Sequence, residues 1–265
     1  MKIIDLNDDL VPEYLICLEE WSDDMKDAGN FRSEWLQEML NKGLRVKLAM
    51  QDNGIVAGFI QYAPVEQSIV DGKGCYFCYC IWIHGHKAGR GDLRGKGLGR
   101  ALLSAAEDDT RKLGATGLAC WGIILPFWMR SSWFKKQGYK RCDRLGMAEL
   151  VFKPFMVGAE APKWFRQRKK PLPEAGGVNV VSLSNGWCSA QNIAQTRIEK
   201  VAKEYPGLVR FVRLNTRERS ILEEWGCSDA IFIDGRELRI GPPPSEKSIR
   251  KTLEKSIKKH LRSHK

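Results

Sequence analysis

Two periods run through this 265-residue chain, one of two residues and one of three to four. The first predicts strands with one buried face and the second predicts amphipathic helices. Met1–Leu6 reads as a first strand. Asp9 to Leu40 reads as mostly helical, with Leu15, Leu18, Trp35, Leu36, Met39 and Leu40 as its apolar positions. Arg45–Gln51 alternates through Val46, Leu48 and Met50, and Ile55–Ala63 returns as its partner. Between them Asp52-Asn53-Gly54 supplies turn residues that tolerate positive φ. A polar loop, Pro64–Gly74, leads to an apolar strand from Cys75 to Ile83. Leu98–Leu113 is helical through Leu98, Ala101, Leu102, Ala105, Ala106 and Leu113. Gly117–Ile124 is a strand, Ser131–Gln137 a short helix, and Tyr139–Phe152 further strand.

The pattern then lapses. Residues 154–177 hold Pro154, Gly158, Pro162, Pro171, Pro173, Gly176 and Gly177, which limit φ or remove donors, so a linker or extended arm is expected. Trp164 and Phe165 suggest that part of it packs on something. A second unit begins at Val178. Its elements are a strand Val178–Leu183, a turn Asn185-Gly186-Trp187-Cys188 and a helix Ser189–Tyr205. They continue with a strand Val209–Leu214, a helix Glu218–Trp225 and a strand Ala230–Ile233 turning at Asp234-Gly235. A last helix has the apolar line Ile249, Leu253, Ile257 and Leu261. The expected organisation is thus 1–155, a basic linker 156–177, and 178–265.

Composition changes this picture little. No apolar run approaches the length of a membrane span, and acids stand too early at the N-terminus for a signal peptide, so a cytoplasmic protein without membrane contact is expected. The eight cysteines are scattered and read as thiols rather than a disulfide framework. The formal charge of +11 is local: residues 166–170 carry four bases and no acid, and residues 247–265 carry eight bases and one acid. Solvated segments are the simpler reading of both, and nucleic acid or an acidic partner is the alternative.

The chemistry centres on Arg94-Gly95-Lys96-Gly97-Leu98-Gly99-Arg100, between a strand and a helix. A glycine-rich turn at a helix N-terminus leaves backbone N–H groups unspent and aimed one way, with the helix dipole behind them, which suits phosphate. The spacing is neither that of a Walker A loop nor that of the dinucleotide fingerprint. The Arg-x-x-Gly-x-Gly pattern of Arg94–Gly99 resembles the pyrophosphate loop of the GNAT acyltransferases. The element order from Met1 to Pro154, and the segment Phe134-Lys135-Lys136-Gln137-Gly138-Tyr139, are similar to that family. The second unit, with Trp187-Cys188 before its first helix, resembles thioredoxin, and the whole chain resembles the YoaP-type acetyltransferases. The implied fold class is α/β (α+β), an acyltransferase fold followed by a smaller thioredoxin-like domain.

This resemblance implies acetyl transfer from acetyl-CoA to an amine of a small molecule or peptide by direct attack. Arg94, Gly95, Lys96, Gly97, Leu98, Gly99 and Arg100 would hold the pyrophosphate, and the strand around Trp82 and Ile83 the pantetheine arm. A base takes the amine proton. Glu66, Cys80, His84 and His86 are the candidate catalytic side chains. Phe134 stands where the family usually has a tyrosine acid, and it has no proton to give. Lys87–Leu93 lengthens the connection between strand and loop.

Cys78, Cys80, His84 and His86 share one face if the strand is regular, and they are zinc or soft-metal ligand types. Small packing residues are the favoured reading of the cysteines, because alternate strand residues lie ~6.5–7 Å apart, too far for four ligands in one line. Cys188 opens a helix, where the dipole favours thiolate. Gln191 replaces the resolving cysteine, and the resemblance implies Cys227 as its possible partner across the site. A thiol-dependent or metal-binding protein using Cys188 or the Cys75–His86 strand is the alternative function.

Overall fold

The computed structural model describes residues 1–125, 129–173, 176–238 and 242–263. The chain divides into two compact units. One comprises Met1–Trp21 and Leu36–Phe165, the other Ser22–Trp35 and Arg166–Lys265.

The first unit is built on a seven-stranded sheet. Its strands are β1 (Lys2–Asp5), β2 (Arg45–Met50), β3 (Val56–Pro64), β5 (Tyr76–Ile83), β6 (Gly117–Ile123), β8 (Ala148–Pro154) and β7 (Lys140–Leu145), in that spatial order. All neighbours are antiparallel except β5 and β6. A parallel pair needs a crossover, and helix α3 (Leu98–Lys112) supplies it. Leu98, Leu102, Leu103 and Ala106 are the apolar residues it buries, with Thr110 beside them. Leu113, expected on that stripe, lies just past the last turn and is half exposed. Central β3 is buried along nearly its whole length, as a strand covered on both faces must be.

The expected helical stretch Asp9–Leu40 is broken. Helix α1 (Val11–Leu15) ends before Cys17 and Leu18, whose φ angles of 54° and 59° leave the helical region. Leu18 is fully buried, so packing holds a conformation that propensity opposes. Helix α2 (Phe31–Leu40) follows a short 3₁₀ turn at Asp23–Asp27.

The loop Pro64–Gly74 and the start of the expected linker also contain structure. Strand β4 (Val70–Asp71) pairs with β9 (Lys163–Trp164), which ties the chain beyond Pro154 back onto the first unit. The Trp164 N–H donates to Asp143 at 2.8 Å, and its ring meets Phe77 and Trp121 edge-on at 6.5 and 6.4 Å. This packing is what Trp164 serves, and it moves the break between units to Phe165–Arg166. Helix α4 (Ser131–Lys136) precedes the β7–β8 hairpin.

The second unit has a four-stranded sheet in the order β11 (Val209–Asn215), β10 (Val178–Ser184), β12 (Ala230–Ile233), β13 (Arg236–Glu237). Strands β10 and β11 are parallel, and β12 is antiparallel to β10. The alternation of β10 sorts its helices. Val178 and Val180 share a core with Ala194, Ile198 and Val201 of α5 (Ser189–Ala202) and with Ile249, Leu253 and Ile257 of α7 (Glu246–Ser263). Val181 and Leu183 face the other way, onto Trp225 of α6 (Arg219–Trp225). The segment Ser22–Trp35 completes this unit. Arg197 of α5 donates to Asp24 and Asp27 at 2.5 and 2.9 Å, and the Arg213 guanidinium lies 4.5 Å over the Phe31 ring. A Cβ at Gly186 would stand 2.9 Å from the Phe31 carbonyl oxygen, so only glycine admits the segment there.

Candidate active site

The site begins where the parallel pair parts. Strands β5 and β6 are in register only at Tyr76–Leu118, Phe77–Ala119 and Cys78–Cys120. Beyond that β5 runs on to Ile83 and β6 to Ile123 without pairing to each other. A bulge causes the parting. Gln61 and Tyr62 of β3 face Cys80 and Cys78, which leaves Tyr79 as the extra residue on β5. An inserted residue bends its strand and sharpens the local twist. The Trp121 indole then wedges the gap, donating to the Tyr79 carbonyl at 2.8 Å.

At the mouth of this gap stands the turn into α3. Gly95 and Gly97 have φ angles of 76° and 78°, which other residues adopt only with strain, and a Cβ at either would meet open space. The first helical hydrogen bond runs from the Ala101 N–H to the Gly97 carbonyl at 3.1 Å. The N–H groups of Leu98, Gly99 and Arg100 are therefore not used by the helix. No side chain caps the helix start. Arg94 is engaged within its own loop, with Nε and Nη2 donating to Asp92 at 2.8 and 2.6 Å. Those hydrogen bonds hold the Asp92 carboxyl well below the usual range. Lys96 and Arg100 are exposed and meet no carboxylate among the described residues.

Gap and turn open into one cavity of about 1050 Å³. Ile81, Trp82 and Ile83 line one side, the turn from Arg94 to Arg100 (Lys96 excepted) a second, and Met129, Arg130, Ser132, Trp133, Phe134 and Lys136 a third. The Trp82 indole N–H is buried and has no acceptor among the described residues. The cations Arg94, Arg100, Arg130 and Lys136 line the cavity, and no carboxylate among the described residues does. A chain of phosphates followed by a narrow amide-bearing arm fits this arrangement. It needs anion donors at the turn and a free strand edge beside it, and both are present.

The candidate catalytic residues are not gathered here. Glu66 lies before β5, and its Oε1 accepts from the Gly74 N–H at 2.7 Å. Cys80 and His84 are buried, and neither lines the cavity. His84 instead anchors the loop that follows β5: its Nδ1 is 2.7 Å from the Gly91 carbonyl, and its carbonyl accepts from the Leu93 N–H at 2.9 Å. Of the four, His86 lines the cavity, with its ring packed at a tilt of 33° on Trp21, 4.4 Å between centroids. The lengthened loop is pinned by Arg90, which reaches Glu13 at 2.7 Å, Glu20 at 2.9 Å and the Val56 carbonyl at 2.8 Å. Phe134 is fully buried between Trp133 and Tyr139, at 5.0 and 5.9 Å, and forms part of the cavity wall.

The bulge also corrects the metal reading. Cys78 and Cys80 oppose consecutive residues of β3, so they face opposite sides of the sheet and the regular-strand premise fails. Among the described residues no group of three or more His, Cys, Asp or Glu could hold a metal ion. Burial, then the neighbouring Cys120, pushes the Cys78 thiol well up, which disfavours it as a nucleophile. Burial likewise pushes Cys75 up to about 12.

In the second unit Cys188 is the half-buried N-cap residue of α5. Cys227 donates its S–H to the Asp229 carbonyl at 3.6 Å, and desolvation pushes its thiol up to about 12. Among the described residues Cys188 and Cys227 are not joined by a disulfide.

Sequence reasoning missed Trp21, Arg130, Ser132, Trp133 and Lys136. For Trp133 and Lys136 a signal existed, because three-residue spacing within Ser131–Lys136 places them on one helix face. For Trp21 there was none, since its contact with His86 spans 65 residues of chain and is made only by folding.

An antiparallel sheet with one parting parallel pair, a crossover helix opened by a glycine turn, and a cavity between them are the arrangement of the GNAT acyltransferase fold. Residues 3–123 match the family model described as the acetyltransferase (GNAT) family, which takes in everything from β1 to the end of β6. Several solved structures are similar to this chain. The GNAT family N-acetyltransferase YhbS from Escherichia coli, in complex with CoA, is 14% identical over 61% of this chain and 88% of that one, with a TM-score of 0.43. A ribosomal-protein-alanine N-acetyltransferase from Brucella melitensis is 18% identical over 58% and 100%, with a TM-score of 0.44. A GNAT family acetyltransferase from Brucella melitensis, in complex with acetyl-CoA, is 20% identical over 60% and 92%, with a TM-score of 0.38. No curated protein matches this chain. Among the described residues no helix is long and apolar enough to cross a membrane.

Proposed function

We propose that the first unit transfers an acetyl group from acetyl-CoA to an amine of a small molecule or peptide by direct attack. One observation carries this reading: the unpaired edge of β5 and the glycine turn of α3 open into the same cavity. The N–H groups from Gly95 to Arg100, with the side chains of Arg100 and Lys136, supply the donors for the phosphates. The edge of β5 at Trp82 and Ile83 receives the pantetheine arm. A strand N–H there polarises the thioester carbonyl and stabilises the oxyanion. The amine nitrogen forms the new C–N bond, the C–S bond breaks, and the thiolate leaves. His86 receives the proton lost by the amine, directly or through one water. Phe134 donates none, so the thiolate departs unprotonated or takes its proton from solvent.

Calorimetric titration with acetyl-CoA tests the binding step. Saturable binding is expected, and Gly97→Glu should abolish it by setting a carboxylate among the N–H donors. No binding to the wild type would overturn the reading. His86→Gln should leave that binding unchanged and lower CoA release at least tenfold in a screen of amine acceptors. Equal rates in both proteins would remove His86 as the base.

The strand order β11-β10-β12-β13, with a helix opened by Cys188 after the first strand, supports the thioredoxin-like reading of the second unit. Its high Cys227 thiol and the glutamine at 191 favour a docking role over dithiol exchange. Eight cysteines with no disulfide among the described residues suit the cytoplasm.

A further inference from the structure

Helix α7 has two faces of different character. Ile249, Leu253 and Ile257 are buried in the core of the second unit. Opposite them Lys247, Lys251, Lys255, Lys258 and Arg262 are all exposed. At 3.6 residues per turn these five fall within an arc of about 80° and extend along about 22 Å of helix. None of them meets a carboxylate among the described residues. The two acids of the helix lie outside the arc and are engaged. Glu246 accepts from Lys200 at 2.6 Å and lies 3.9 Å from Arg250, while Glu254 accepts from the Tyr205 hydroxyl at 3.0 Å.

An ordinary solvated face carries both signs of charge, and this one carries a single sign on a rigid rod. Its complement is an extended anion. A membrane surface is disfavoured, because the apolar residues that would insert into it are already committed to the core. Single-stranded nucleic acid is disfavoured as well, because the stripe bears no aromatic ring on which bases could stack. What it offers is phosphate contact at regular intervals.

We propose that this stripe is a docking surface for duplex DNA, held by the phosphate backbone without reading sequence. Lysine and arginine contacts to phosphate hold and orient a duplex but carry no sequence information. The proposal does not depend on acetyl transfer.

The test is fluorescence anisotropy of a labelled 24-base-pair DNA of arbitrary sequence, titrated with the full chain at several salt concentrations. Five phosphate contacts give a slope of log K against log salt of about −4.5, and an affinity loss of about 500-fold between 50 and 200 mM salt. The triple variant Lys251→Gln, Lys255→Gln, Lys258→Gln should reduce the slope to about −2. Its melting temperature and its acetyl-CoA titration should match the wild type, since the three side chains are exposed and belong to the other unit. No binding to DNA at 50 mM salt would overturn the proposal. An unchanged slope in the triple variant would also overturn it, by placing the contact elsewhere. Tighter binding of duplex RNA, single-stranded DNA or polyglutamate than of duplex DNA would overturn the choice of partner.

Discussion

Asp229 lies at the start of β12, where the Asn185 N–H donates to it at 3.2 Å. Burial nevertheless dominates and pushes its carboxyl up to about 6 from the usual 3.8. A carboxyl that ionises less readily in the folded chain takes up a proton on folding. Its contribution to stability is full below about pH 4 and is lost as the pH rises through 6. Above that pH the ionised group burdens the fold by about 3 kcal/mol. Asp229→Asn is therefore expected to gain stability over the wild type as pH rises from 4 to 7, by up to about 3 kcal/mol. Urea unfolding of both proteins across that range reads the difference. A difference that stayed constant with pH would mean that Asp229 is charged throughout. At this scale much of the glycine turn at Gly95 and Gly97 was legible, because positive φ and the absence of a Cβ are properties of glycine itself. The base was not legible. Glu66, His84 and His86 are equivalent as letters, and only their surroundings separate a loop cap, a buried anchor and a cavity wall.

At the scale of elements the sequence pattern served well where an element buries one face. Helix α3 and strands β2, β3, β6, β10 and β12 fall within a residue or two of expectation. It failed where packing overrode propensity. The break at Cys17 and Leu18 is one case, and the bulge at Tyr79 another. A single inserted residue reverses the facing of everything after it, so one bulge both removed the four-ligand reading of β5 and opened the cavity. The segment Ser22–Trp35 is a third case. Arg197, which also donates to the Pro244 carbonyl at 3.3 Å, and the buried Arg32, which donates to Ser189 at 3.3 Å, attach it to α5. Arg197→Ala is expected to cost about 1–3 kcal/mol, with the Asp carboxylates partly exposed and therefore screened. It should also speed proteolysis within residues 22–35. Cleavage at the wild-type rate would show that Phe31 and Trp35 hold the segment without it.

For the whole molecule, organisation was partly legible. A proline- and glycine-rich stretch signalled a boundary, and β9 shows that the first unit reaches beyond it to Phe165. That residues 22–35 group with the C-terminal unit left no trace in the pattern, because a polar helical turn looks alike whichever core it covers. The charge excess was visible as two runs of letters, and helical geometry turned one of them into a single-sign stripe. By itself the sequence determined most of the long elements, the glycine turn before α3 and the element order of the first unit, since these follow from local periodicity and from what glycine alone permits. Only the tertiary structure decided which histidine meets the cavity, which cysteines share a face and which segment completes which unit. Those are contacts between residues far apart in the chain, set by bulge, register and packing, and no local property of a residue encodes them.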